Sequence, residues 1–232
     1  MINSTKNISL KSAALIAGLS LLLSVGTAPF AELYALPKLI VQDNAAETAQ
    51  NIIANQSLFV AAIFSYLVAF ICDLVLAWSL YILLRPVNSN LSLLTAWLRL
   101  TYTIIALVAL NNLVTVYRLL TTSDYLKLLG QDQLYAQSMI YLRAFRNHWY
   151  FGIIFFALHL LFLGYLIIRS NYIPKWLGII LLVTGLGYLL TTVQPYLFPN
   201  IKVDFAQYTF YGELIFMFWL LIKGSRLKET LT

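Results

Sequence analysis

The sequence predicts an all-α, polytopic membrane protein: a six-helix transmembrane bundle with two short amphipathic helices on its extracytoplasmic side. Three observations predict it. Of 232 residues, 61% are hydrophobic and 10% charged, with a mean hydropathy of +0.81. A soluble domain carries about 25% charged residues, so this chain lacks the charge to cover a water-facing surface. The apolar residues gather into six segments bounded by charge, Pro or Asn/Ser clusters, each close to the roughly 20 residues a bilayer-crossing helix needs. The segments are continuous, whereas membrane β-barrels show alternating stretches of about ten residues. Disorder, a soluble enzyme and a nucleic-acid module are excluded together. The length suits one compact bundle, so residues 1–232 read as a single transmembrane domain.

The first segment, about 12–34, follows Lys6 and Lys11 and so imitates a secretory signal. Cleavage after Ala28 would put Pro29 next, and cleavage after Ala31 would put Pro29 where a small residue is wanted. The segment therefore reads as a retained helix that Pro29 bends at its outer end. Asn44 and Glu47 then form a helix-start box ahead of Ala45, Ala46, Ala49, Ile52 and Ile53, which predicts the first short amphipathic helix. The second and third spans cover about 57–84 and 91–119. Between the third and fourth, the stretch 132–145 sets Leu134, Ser138, Leu142 and Phe145 near one face, with Gln133, Gln137 and Arg143 elsewhere. It predicts the second amphipathic helix, lying at the interface or capping the bundle. The remaining spans cover about 147–168, 175–198 and 205–222, and Gly178, Gly185 and Gly187 mark close packing in the fifth.

The net charge of +6 reflects topology rather than an anionic partner. With the N-terminus inside, Lys6, Lys11, Arg85, Arg169, Lys175, Lys223, Arg226 and Lys228 are cytoplasmic, while Lys38, Arg118, Lys127, Arg143, Arg146 and Lys202 are outside. The inside loops are short, and short loops carry the positive-inside rule. Both termini are expected to be cytoplasmic, in a cytoplasmic (inner) membrane. The single Cys72 forms no internal disulfide and reads as a small packing residue.

Catalytic and cofactor signatures are absent: no GxSxG, HExxH, Walker or GxGxxG pattern occurs. His148 and His159 lie eleven residues apart, about 16 Å along one helix, and so cannot clasp one haem between them. No catalytic set, cofactor or metal site is predicted. The candidate site is a polar cluster of the four ionisable residues within spans: Asp73, Arg99, His159 and Glu213. Each lies roughly 12–17 Å from the cytoplasmic end of its helix, one per helix and nearly at one level. Such residues are costly in lipid and face a bundle interior or cavity. Their helical neighbours are small or hydroxylated: Ser65, Ala69 and Ala77 near Asp73, Thr95, Thr103 and Ala106 near Arg99, and Ala206 and Thr209 near Glu213.

Three readings of that layer remain open. It is a structural network fixing helix register, a site that binds or conducts a small polar molecule, ion or proton, or a membrane-embedded acid/base site with His159 as proton shuttle. The working expectation is the second, in a protein that is not an enzyme. Its partners are then the lipid bilayer and a small polar ligand, with no nucleic acid.

Three stretches carry a resemblance: DLVLAWSLYILLRPVNSNLSLLTAWLRL from Asp73, FFALHLLFLGYLIIRSNYIPKWLG from Phe155 and GELIFMFWLLIKG from Gly212. In them the chain resembles the bacterial membrane proteins grouped as Domain of Unknown Function 4386, over nearly its whole length. The family pattern includes the positions of Asp73, Arg99, His159 and Glu213 and a loop matched by Pro86, Val87 and Asn88. Ala157 departs from it, standing where Gly is usual. The resemblance implies a polytopic membrane protein and supplies no substrate.

Overall fold

The structure, a computed structural model, describes residues 8–201, 203 and 209–227. Among them every regular element is helical and there is no strand. In order these are α1 (Leu10–Pro29), a π-helical turn (Phe30–Ala35), α2 (Leu36–Leu39), α3 (Ala45–Ala54), α4 (Gln56–Leu84), α5 (Ser89–Thr121), α6 (Ser123–Leu129), α7 (Gln131–Arg169), α8 (Lys175–Leu197), α9 (Gly212–Ile222) and a 3-10 turn (Gly224–Arg226). Five helices are long and apolar enough to cross a membrane: Leu10–Leu39, Gln56–Leu84, Ser89–Thr121, Gln131–Arg169 and Lys175–Leu197. The sixth apolar helix, Thr209–Ile222, is shorter than a full span. The expected start of that span, with Ala206, lies outside the described residues, as do Lys6, Lys202 and Lys228.

The element boundaries have local causes. Pro29 has no N–H to give, and the helix passes it through a π turn closed by Leu36 N–H donating to the Ala31 carbonyl. The expected bend is thus a change of helical register. Asn44 caps α3 reciprocally: its side chain accepts from Glu47 N–H at 3.0 Å and donates to the Glu47 carboxylate at 2.8 Å. Asn88 accepts from Leu91 N–H at 2.9 Å and starts α5. Gly130, at φ 72°, ends α6.

One expectation needs correction. The second amphipathic stretch is not a separate helix; it is the first third of α7, which runs unbroken for 39 residues. No Pro interrupts it, and Arg143, Arg146 and Asn147 continue the helix rather than ending it. Its facing is as expected, with Leu134, Ser138, Leu142 and Phe145 buried and Gln133, Gln137 and Arg143 exposed.

The residues group into two compact units. The first comprises Met1–Leu22, Cys72–Tyr102 and Ile153–Thr232. Its helices approach closely at glycines. A Cβ on Gly164 would stand 2.7 Å from the Gly178 carbonyl oxygen, and one on Gly178 would stand 2.5 Å from that of Gly164. Gly185 packs against the Ala157 carbonyl and Leu160, and Gly18 against Leu221. Small residues of this kind let helices touch where lipid supplies no hydrophobic drive. Tyr172, in the α7–α8 loop, donates to the Leu83 carbonyl at 2.5 Å.

The second unit comprises Leu23–Ile71 and Thr103–Gly152. Tyr66 is fully buried there and packs on Phe70, Phe145 and Trp149 with ring centroids 5.3–5.9 Å away. Its hydroxyl donates to the Glu32 carboxylate on the π turn. Asn112 and His148 meet at 3.4 Å. In both units polar side chains such as Ser92, Thr103, Ser138 and Thr184 are buried. Large apolar ones such as Leu23, Phe64, Trp97, Val108 and Ile179 are more than half exposed. Large apolar side chains on the outside and hydroxyls between the helices fit a protein whose helices are apolar and long enough to cross a membrane.

Candidate functional site

Arg99 lies about a third of the way along α5 and is 3% exposed. A guanidinium stays charged in any surroundings, so burying it demands acceptors. The residues singled out by depth supply them. Asp73 on α4 accepts from Arg99 Nε at 3.0 Å and from Nη2 at 2.5 Å through one carboxylate oxygen. Glu213, in the first turn of α9, accepts from Nη1 at 3.4 Å. His159 Nε2 on α7 lies 3.1 Å from the same Nη1. Asp73 and His159 are 4% and 0% exposed, while the Glu213 side chain keeps 17%.

The hydrogen bonds settle the state of His159. Its Nδ1 lies 2.8 Å from the Thr95 carbonyl, which only accepts, so Nδ1 carries the hydrogen. Arg99 only donates, so Nε2 carries the lone pair. The ring is thus a neutral bridge between one turn of α5 and its arginine. A proton shuttle would need Nε2 to take a proton while facing a guanidinium, and the geometry does not suit that role.

Of the neighbours predicted from helical spacing, Ala69, Ala77, Thr95, Thr103 and Ala106 are buried, whereas Ser65 and Thr209 are half-buried. Thr184 donates to the Thr209 carbonyl at 2.8 Å, which ties the approach to α9 onto α8. Spacing did not reveal the aromatic wall. Phe156 lies under the guanidinium at 5.1 Å, packs edge-on against Tyr188 at 5.2 Å, and contacts Tyr102 at 4.9 Å. Phe210 stacks on Tyr188 at 4.2 Å. The wall adds a cation–π attraction to the arginine. With Phe and Tyr at 29 positions in the chain, these four look in sequence like any lipid-facing aromatic.

Among the described residues no three His, Cys, Asp or Glu side chains group to hold a metal ion. A guanidinium sits where Asp73, His159 and Glu213 meet. The arrangement positions a fixed positive charge against two carboxylates, one gripped twice and one held once.

A protein from Archaeoglobus fulgidus, named only as an uncharacterized protein, is 34% identical over 166 residues, covering 70% of this chain and 83% of its own. No solved structure matches. The model of the family described as Domain of unknown function (DUF4386) matches residues 16–224, which include all four clustered side chains. The chain belongs to that family.

Proposed function

We propose that this is a multi-pass membrane protein whose Arg99 cluster binds one exchangeable proton. One observation carries the reading: among the described residues a single guanidinium is set against two carboxylates and a neutral imidazole. With both carboxylates ionised the cluster holds one net negative charge. An uncompensated charge kept from water costs several kcal/mol, and one added proton cancels it. Asp73 is committed by two bonds to Arg99, whereas Glu213 has one long bond and residual exposure. Glu213 is the carboxylate that takes the proton with least loss of pairing. Intramembrane carboxylates arranged in this way serve proton and ion pathways.

The test is infrared difference spectroscopy on the protein in lipid vesicles after a pH jump, with proton uptake measured alongside. A protonated-carboxyl band is expected in the wild type and in Glu47→Gln, and it vanishes with proton uptake in Glu213→Gln. Band and uptake both surviving in Glu213→Gln would sink the reading.

A second reading has its own support. Among the described residues every buried side-chain polar atom has a hydrogen-bond partner, as in a network that only fixes helix register. That reading expects Glu213→Gln to lower the melting temperature in detergent and to leave proton uptake unchanged.

A further inference from the structure

In the second unit a hollow of about 290 Å³ opens between the turn after α2 and one face of α7. Its volume stands at the lower end of small-ligand pockets, about 300–1,000 Å³. Ile40, Met139 and Leu142 give it apolar walls, and Asp43, Arg143 and Arg146 give it charge. Leu142 and Arg143 stand three and four residues after Met139, and Arg146 stands four and three after them, so the four share a single stripe of the helix.

The opposing turn is built to stay in place. Thr48 clamps it twice, accepting from Val41 N–H at 2.9 Å and donating to the Val41 carbonyl at 3.1 Å. Asn44 N–H closes it onto the same carbonyl at 3.3 Å, and Asp43 adopts φ 57°. Arg143 Nη2 donates to Asp43 at 2.8 Å. Both side chains are more than half exposed, and such pairs contribute about 0–1 kcal/mol. Stability is a weak reason for this bond; what it does is aim the guanidinium, using one of five N–H donors. Arg146 stands one turn away with no carboxylate within bonding distance among the described residues.

We propose that this hollow binds a phosphate diester of headgroup size, such as a glycerophosphoglycerol group. Two guanidinium forks match phosphate oxygens in bidentate geometry. Two arginines against Asp43 leave one net positive charge, equal and opposite to a diester. The apolar walls accept the carbon skeleton on either side of the phosphate. The proposal uses none of the Arg99 cluster and stands or falls apart from it.

The experiment uses the full chain in phosphatidylcholine nanodiscs. Soluble glycerophosphoglycerol is titrated by calorimetry. In a second arm, phosphatidylglycerol is added to the discs and its retention on the protein is read by native mass spectrometry. Binding of the soluble probe assigns the site to free diesters, and retention of the lipid alone assigns it to headgroups. In either case Arg146→Gln should weaken binding about tenfold, the loss expected for one charge-assisted contact. Lys127→Gln, an exposed charge elsewhere, should leave binding unchanged, and Arg146→Lys should recover part of the loss. Equal melting temperatures show that the variants are folded. Binding of neither probe, or equal binding by wild type and Arg146→Gln, overturns the proposal.

Discussion

Arg99 is bonded unequally to its partners, and the inequality ranks the substitutions around it. Arg99→Gln removes the cation and leaves Asp73 and Glu213 without their shared counter-charge, which should cost about 3–5 kcal/mol, the usual result of breaking a buried pair. Asp73→Asn takes the charge from behind two bonds and Glu213→Gln from behind one long bond, so the melting temperature in detergent should fall more for the first. Equal falls would contradict the ranking. Tyr172 gives a separate handle outside the spans. Burial pushes its phenol up to about 12. A folded value above the unfolded one, about 10, means its contribution is whole below pH 10 and is lost as pH rises towards 12. Tyr172→Phe should flatten that alkaline loss in a pH series of melting temperatures. At this scale the four ionisable residues were legible in sequence because charge is rare in apolar runs. Glu32 was not, since a carboxylate near the end of a span looks like an ordinary flanking charge; only the fold puts Tyr66 against it.

Helix contacts supply the next set of tests. Gly164 and Gly178 face each other across α7 and α8 with no room for a methyl group, so Gly178→Ala should destabilise by about 1–3 kcal/mol through overpacking. Gly26 meets nothing within 4 Å of an added Cβ, so Gly26→Ala should raise stability by about 0.5–1 kcal/mol through helix propensity. Chemical denaturation of both variants checks the pair, and like signs would refute the packing account. Sequence showed most boundaries at this scale because Asn44, Asn88 and Pro174 punctuate the apolar runs. It misjudged α7 because a cluster of two arginines and an asparagine resembles a loop, although none of the three breaks a helix. It missed α6, whose signals were present: Ser123 and Asp124 at the start and Gly130 just past the end.

For the whole molecule, the scarcity of charge predicts both solvent and topology. With both termini inside, as we propose, a cysteine at Asp43 or Arg143 should react with an impermeant maleimide on intact cells, and one at Arg85 only after lysis. Cys72 is 8% exposed and should stay silent, so the natural chain is its own blank. Labelling of Arg85→Cys on intact cells would reverse the orientation. The first unit also has a mechanical consequence. Gly164 on Gly178 locks α7 to α8, and Gly212 lies against Ile180 and Thr184 of α8, so His159 and Glu213 ride on one block. Asp73 and Arg99 ride on the other helix pair, joined by the short turn at Pro86–Asn88. The doubly bonded ion pair, Asp73 to Arg99, stays within the second of these blocks, and the single 3.4 Å bond to Glu213 crosses the seam beside the uncharged partners His159–Thr95 and Tyr172–Leu83. Parting along that seam would leave a neutral arginine–aspartate pair on one side and release Glu213, with whatever proton it holds, on the other. The ion pairing is thus divided unequally across the joint, and the bonds of His159 to Thr95 and Tyr172 to Leu83 are what hold it shut.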